Sequence, residues 1–153
     1  MNLQETFHRE IYIRGFTFIE LMLVTALITL IGVFATPVGL SYYQSQLVNE
    51  ISDGLVSALR QAQGFAYTGK HNHAFGVFIT ADAYTVFEGD TYASRITSED
   101  MVFPIASTVT VSGLQEIVFS EMSGTPRATG MVTVVSGNKM SQIDVLPSGN
   151  IER

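Results

Sequence analysis

The chain has 153 residues, long enough for one domain of ordinary size and an appendage. Fourteen acids against eight bases leave a net charge of -6, and Arg60, Lys70, Arg95, Arg127, Lys139 and Arg153 are scattered along the chain, so binding to a phosphate backbone is disfavoured. The absence of cysteine excludes a disulfide framework, thiol catalysis and cysteine-ligated metals.

Residues 1–15 are polar and mixed in charge, with Arg9 and Arg14 close to the start of an apolar run. That run, FTFIELMLVTALITLIGVFATPVGL, covers Phe16 to Leu40 and carries one charge, Glu20. A helix rises about 1.5 Å per residue, so about twenty apolar residues suffice to cross the hydrocarbon core of a bilayer. The first base after the run is Arg60, and the positive-inside rule therefore places the N-terminus in the cytoplasm and the C-terminal domain outside. A secretory signal peptide has an apolar core of about 7–15 residues, shorter than this run. A plain signal anchor accounts for length and orientation but leaves Glu20 unexplained. A carboxylate at membrane depth costs at least about 2.5–3.5 kcal/mol unless paired, which makes Glu20 a functional candidate.

The string Arg14-Gly15-Phe16-Thr17-Phe18-Ile19-Glu20-Leu21 resembles the processing motif of type IV pilin precursors. The resemblance implies cleavage by prepilin peptidase between Gly15 and Phe16, N-methylation of Phe16, and a filament-assembly role for Glu20, the fifth residue of the mature chain. It also implies a helix kink at Pro37, twenty-second by the same count. Cleavage exposes an α-amine whose ordinary pKa is about 7.7–8.0. In a filament, Glu20 of one subunit meets the Phe16 amine of its neighbour, so that register is set by pairing two charges that are costly alone.

Beyond Pro37, Tyr43, Leu47, Ile51, Leu55, Leu59, Ala62 and Ala66 recur at helical spacing, while Gln44, Gln46, Asn49, Glu50, Asp53 and Arg60 fall largely elsewhere. One helix from Phe16 to about Ala66 is expected, bent between Gly32 and Pro37, its outer half laying an apolar stripe on a sheet. Gly54 counts mildly against it, at about 1 kcal/mol relative to alanine. From Gly69 the period becomes two. Residues 74–80 and 84–87 form a hairpin around Ala81-Asp82-Ala83, and 116–120 form a further strand. Residues 131–135 and 140–145 flank the turn Ser136-Gly137-Asn138-Lys139, and Ile151 belongs to a short last strand. The stretch from Gly89 to about Val109 reads as the longest irregular segment. The strand region also resembles the GspH/FimT-type minor pseudopilins, through Ile117-Val118-Phe119 leading to Ser123-Gly124-Thr125-Pro126 and through the closing segment from Ile143 to Ile151.

Candidates for chemistry are sparse. His71-Asn72-His73 lacks a third ligand of convincing spacing and an accompanying acid cluster, and reads as a solvated loop. Asp82, Glu88 and Asp90 lack the dense oxygen pattern of a calcium loop and read as a polar turn. No nucleophile elbow or phosphate loop is present, so no catalytic residue, metal site or cofactor is expected.

The resulting expectation is an α+β fold: a long N-terminal α-helix, transmembrane in its first half and amphipathic in its second, packed on an antiparallel β-sheet domain. Its segments are a prepilin leader peptide over 1–15, a transmembrane and filament-assembly helix over 16–40, an amphipathic continuation over 41–68, and a β-rich periplasmic domain over 69–153. The function implied by the resemblance is that of a minor pseudopilin, a non-enzymatic subunit of a type II secretion pseudopilus or type IV pilus. Its partners are prepilin peptidase, other pilins or pseudopilins and the inner-membrane assembly platform. Its location is the bacterial inner membrane, single-pass, with the domain in the periplasm. The alternative is a DNA-uptake or adhesive minor pilin whose domain binds a ligand directly; dispersed, acidic charge argues against nucleic acid.

Overall fold

The computed structural model describes residues 15–153, without the side chains of residues 34–38. The chain divides into two units, one ending at Val38 and one running from Gly39 to Arg153. Helix α1 (Phe18–Tyr67) contributes to both. The remainder is β1 (Phe75–Ile79), β2 (Ala83–Glu88), β3 (Met101–Pro104), β4 (Thr110–Gly113), β5 (Glu116–Phe119), β6 (Gly130–Ser136), β7 (Lys139–Val145) and β8 (Ile151–Glu152).

Two features of the expected architecture are corrected. Among the described residues, no helix is long and apolar enough to cross a membrane, so the expectation of a transmembrane first half is not met. The apolar side chains of α1 are described without a break only over 18–33, short of the roughly twenty residues that a span requires. From Gln44 onward polar residues recur every turn. The expected antiparallel domain is present, but the helix stripe that was expected to lie on a sheet meets two, of four strands each, in the orders β3-β2-β1-β5 and β4-β6-β7-β8. All pairings in both are antiparallel.

In the second unit the helix stripe is broader than the spacing implied. Tyr43 is exposed, whereas Val48, Ile51, Ser52, Leu55, Val56, Ala58, Leu59, Ala62 and Ala66 are buried. Leu55 and Leu59 join one core with Val77, Val86 and Ile117 of the first sheet and with Val132, Val134 and Ile143 of the second. Burying a leucine fully is worth about 1.5–3 kcal/mol, so these positions dominate the helix's attachment. Alternation in β1 sends Phe75, Val77 and Ile79 to this core. On the opposite face, Ala74, Phe87 and Val118 form a second cluster, with Phe78 and Tyr92 packed against it. Tyr92 stacks on Phe78 at 4.0 Å between centroids and meets the Phe87 ring edge-on at 5.5 Å.

The stretch 89–109 is more ordered than its composition suggested. It holds two short 3-10 turns, Tyr92–Ser94 and Thr97–Glu99, and the edge strand β3. Side chains fix it: Glu116 accepts from the Tyr92 N–H at 2.8 Å, and Arg95 donates to Asp100 at 2.7 Å while lying over the Tyr92 ring. Pro104 is tolerated in β3 because that strand is an edge. The hairpin turn between β1 and β2 is closed by Thr80, whose hydroxyl accepts from the Ala83 N–H at 3.1 Å and whose own N–H donates to the Ala83 carbonyl at 2.8 Å.

Gly54 has a packing reason. A Cβ built there lies 2.5 Å from the Tyr84 hydroxyl oxygen and 3.6 Å from the ring carbon that bears it. Tyr84 is buried and stacked on Phe103 at 5.1 Å, so the ring has little room to withdraw. Gly54→Ala is therefore expected to destabilise the protein in chemical denaturation, despite a helix propensity gain of about 0.8–1 kcal/mol. In a Tyr84→Phe background the offending oxygen is gone, and the same change is expected to stabilise by about that propensity gain.

Candidate functional site

The N-terminal candidates fall where helix and non-helical chain meet. Residues 1–14, including Arg9, Arg14 and nearly all of the expected leader, lie outside the described residues. Gly15, Phe16 and Thr17 are non-helical, and Gly15 has no neighbouring atom within 4 Å of where a Cβ would stand. Phe16 is 83% exposed. Gly15 and Phe16 thus stand, exposed and non-helical, just ahead of the helix. The side chain of Pro37 lies outside the described residues, and with it the expected kink.

Glu20 has a local explanation that the processing motif did not supply. Thr17 is the N-cap of α1: its hydroxyl accepts from the Glu20 N–H at 3.3 Å, and its carbonyl accepts from the Leu21 N–H at 3.1 Å. Thr17-Phe18-Ile19-Glu20 has the spacing of a capping box, in which glutamate or glutamine stands three residues after the cap. An acid in the first turn is also favoured by the helix dipole, by about 0.3–1 kcal/mol. Thr-x-x-Glu ahead of an apolar run is the sequence pattern that could have pointed to this cap.

From Phe18 to Val33 the helix carries one charge, Glu20, and is otherwise largely apolar, with Phe18, Ile19, Leu23, Ile28 and Ile31 all more than half exposed. The threonines do not interrupt this surface. The Thr25 hydroxyl donates to the Leu21 carbonyl at 3.0 Å, and the Thr29 hydroxyl to the Thr25 carbonyl at 2.8 Å. A shallow groove along one side is lined by Met22, Thr25, Ala26, Thr29, Leu30 and Val33.

In the second unit three of the four arginines are engaged with acids. Arg153 donates to Asp53 and Asn49 of α1, Arg127 pairs with Asp90 at 2.7 Å, and Arg95 pairs with Asp100. Arg60 reaches the Ile151 carbonyl at 3.4 Å. These bases are spent on holding the domain together rather than gathered for a polyanion.

The loop 70–73 departs most from expectation. Glu88 ends β2 with 1% of its surface exposed, and both histidines converge on it: His71 Nδ1 lies 2.8 Å from Oε2, and His73 Nδ1 lies 2.5 Å from Oε1. His71 and Asn72 hold φ of 55° and 57°, the left-handed region that non-glycine residues seldom occupy. The polar-turn reading of Glu88 is thereby corrected; the histidines are half-exposed in a turn, as a solvated loop implies, but both also bond to the buried carboxylate. Neither the burial nor the bonding was visible in sequence, because Glu88 stands 17 residues from His71 and reaches it only through pairing of β1 with β2. Burial alone pushes the Glu88 carboxyl up, but hydrogen bonds from His73 and His71 and the charges they carry outweigh it, and the pKa is lowered. An ionised carboxylate has no proton to give, so both imidazoles donate from Nδ1.

A lowered folded pKa gives a stability contribution fully present above the ordinary glutamate value and lost as pH falls through the folded one. With EDTA present, the wild-type protein is expected to lose stability on acidification below about pH 4.5. Glu88→Gln is expected to be less stable at neutral pH and to show a flatter acid limb in denaturant midpoints; an unchanged limb would count against the linkage.

No protein-family model matches the chain, and neither a curated protein nor a solved structure matches it.

Proposed function

We propose that this protein is a non-enzymatic filament subunit of the type IV pilin class, a minor pseudopilin of a type II secretion pseudopilus or type IV pilus. Its precursor is cut between Gly15 and Phe16 by prepilin peptidase, N-methylated on Phe16, and delivered by an inner-membrane assembly platform into a filament. The observation that carries the reading is the surface of α1 over 18–33. A helix with so large an exposed apolar surface, broken by one carboxylate, does not remain uncovered in water, and this one starts two residues after the proposed cleavage point. In this reading the equivalent helices of neighbouring subunits cover it. The β-rich unit, with its arginines paired internally, serves as a rigid head that presents a surface to other subunits.

Two measurements test this. Intact mass and N-terminal sequencing, with and without co-expressed prepilin peptidase, are expected to give a mature chain beginning at Phe16 and carrying one methyl group. Retention of Met1 beside an active peptidase sinks the proposal. The second separates the two roles of Glu20. A capping box accepts glutamine, so Glu20→Gln keeps the cap while removing the charge. Filament incorporation of Glu20→Gln is expected to collapse while processing continues. Thr17→Ala, which removes the cap at a cost of about 1 kcal/mol, is expected to reduce incorporation only modestly. The reverse order would assign Glu20 to capping alone.

A further inference from the structure

His71, His73 and Glu88 belong to a larger constellation. Glu99, in the 3-10 turn Thr97–Glu99, brings a third group to the same place: ligand atoms of His71, Glu88 and Glu99 lie within 4.8 Å of one another. The three come from three separate segments, the 70–72 turn, the end of β2 and the 97–99 turn. A cation is already drawn there, since the Lys70 ammonium lies 3.8 Å from Glu99 Oε2 while resting over the Phe65 ring at 4.5 Å.

The geometry points to a divalent transition-metal site of the zinc class, with His71 Nδ1, Glu88 Oε2 and a Glu99 carboxylate oxygen as ligands and His73 as the positioning residue. One imidazole nitrogen with two carboxylate oxygens is a borderline-hard donor set suited to Zn²⁺. It is poor for Ca²⁺, which takes six to eight oxygens. Ligands at about 2.0–2.2 Å from a tetrahedral centre stand about 3.4 Å apart. His71 and Glu88 are already at 2.8 Å, and only a modest inward movement of Glu99 is required. The side chains of Glu99 and His71 are 42% and 52% exposed, so both have room to adjust and the ion has an entry path. Glu88 is the fixed member. It is held by burial and by the His73 Nδ1–H bond to its other oxygen, the arrangement by which outer partners orient a ligating carboxylate. On binding, the ion takes the place of the His71 Nδ1 proton, which leaves to solvent or moves to Nε2. Water completes the coordination. The left-handed backbone at His71 then has a purpose: it aims the imidazole at Glu88.

The site does not depend on the filament reading, and its test is independent of processing. Full-length protein in mild detergent, stripped with EDTA, is titrated with ZnCl₂ in a calorimeter, and with Co²⁺ to record the visible absorption of the bound ion. Uptake of one Zn²⁺ per chain is expected, with a four-coordinate Co²⁺ spectrum. His71→Ala and Glu99→Gln alter exposed side chains and leave the fold intact by circular dichroism; each is expected to weaken Zn²⁺ at least about tenfold. His73→Ala is expected to weaken it about 10–100-fold. Lys70→Ala, which removes the competing ammonium, is expected to bind more tightly than wild type. Absence of stoichiometric uptake by the wild-type chain, unchanged affinity in both His71→Ala and Glu99→Gln, or preference for Ca²⁺ over Zn²⁺ overturns the assignment.

Discussion

One face of α1 is shared by two sheets, and the rest of the second unit is arranged around that sharing. Leu55, Leu59, Ala62 and Ala66 leave almost no surface exposed, and their neighbours in the core come from both sheets. Small side chains at Ala58, Ala62 and Ala66 let strands approach the helix backbone closely. Gly54 extends that series by one step, to a position where the Tyr84 hydroxyl fills the space of the missing methyl. The helix acts less as a layer laid on a sheet than as the central post from which two short sheets are hung.

Chain order reinforces this dependence. Strands β1 to β3 belong to the first sheet, β4 to the second, β5 returns to the first, and β6 to β8 complete the second. Neither sheet is finished until the chain has visited the other. Both are only four strands wide, and most of their buried valines and isoleucines belong to the core they share with α1. Stability of one sheet is therefore tied to that of the other through the helix, and a defect at Leu55 or Leu59 is felt in both.

Local periodicity made most of the elements legible. The hairpins around Asp82 and around Gly137-Asn138 form where alternation and turn residues placed them, and α1 ends at Tyr67, one residue from the expected limit. What escaped has a common cause. Strand β3 is short, contains Pro104 and alternates weakly, because an edge strand needs little burial. Strand β4 ends at Gly113 and is mostly exposed, for the same reason. Glu88 gives no local sign of being buried, because it lies on the core-facing side of β2 with Tyr84 and Val86 and its polar partners there, His71 and His73, come from a loop distant in sequence. Among the candidate site residues, Gly15, Phe16 and Glu20 could be proposed from sequence because a linear motif carries them. The convergence of His71, His73, Glu88 and Glu99 depends on strand register, which no linear pattern records.

The two halves of α1 obey different rules, and Glu20 stands where that difference matters most. From Val48 to Ala66 most apolar side chains of the helix are buried in the core, whereas over 18–31 the large ones are exposed. The cap uses the Glu20 N–H and the Thr17 hydroxyl, not the carboxylate. The helix dipole favours the carboxylate by about 0.3–1 kcal/mol, far less than the several kcal/mol that desolvating an unpaired charge costs. In the proposed filament, where other helices cover the 18–33 surface, Glu20 enters a dry environment and requires a cation. The proposed cleavage would supply one in the α-amine of Phe16, four positions back on the sequence. A pairing within one chain would pull the carboxylate toward the N-terminal end of its own helix. In the proposed assembly a pairing between chains would offset one subunit by about a turn against the next, and that offset, repeated, would build a filament.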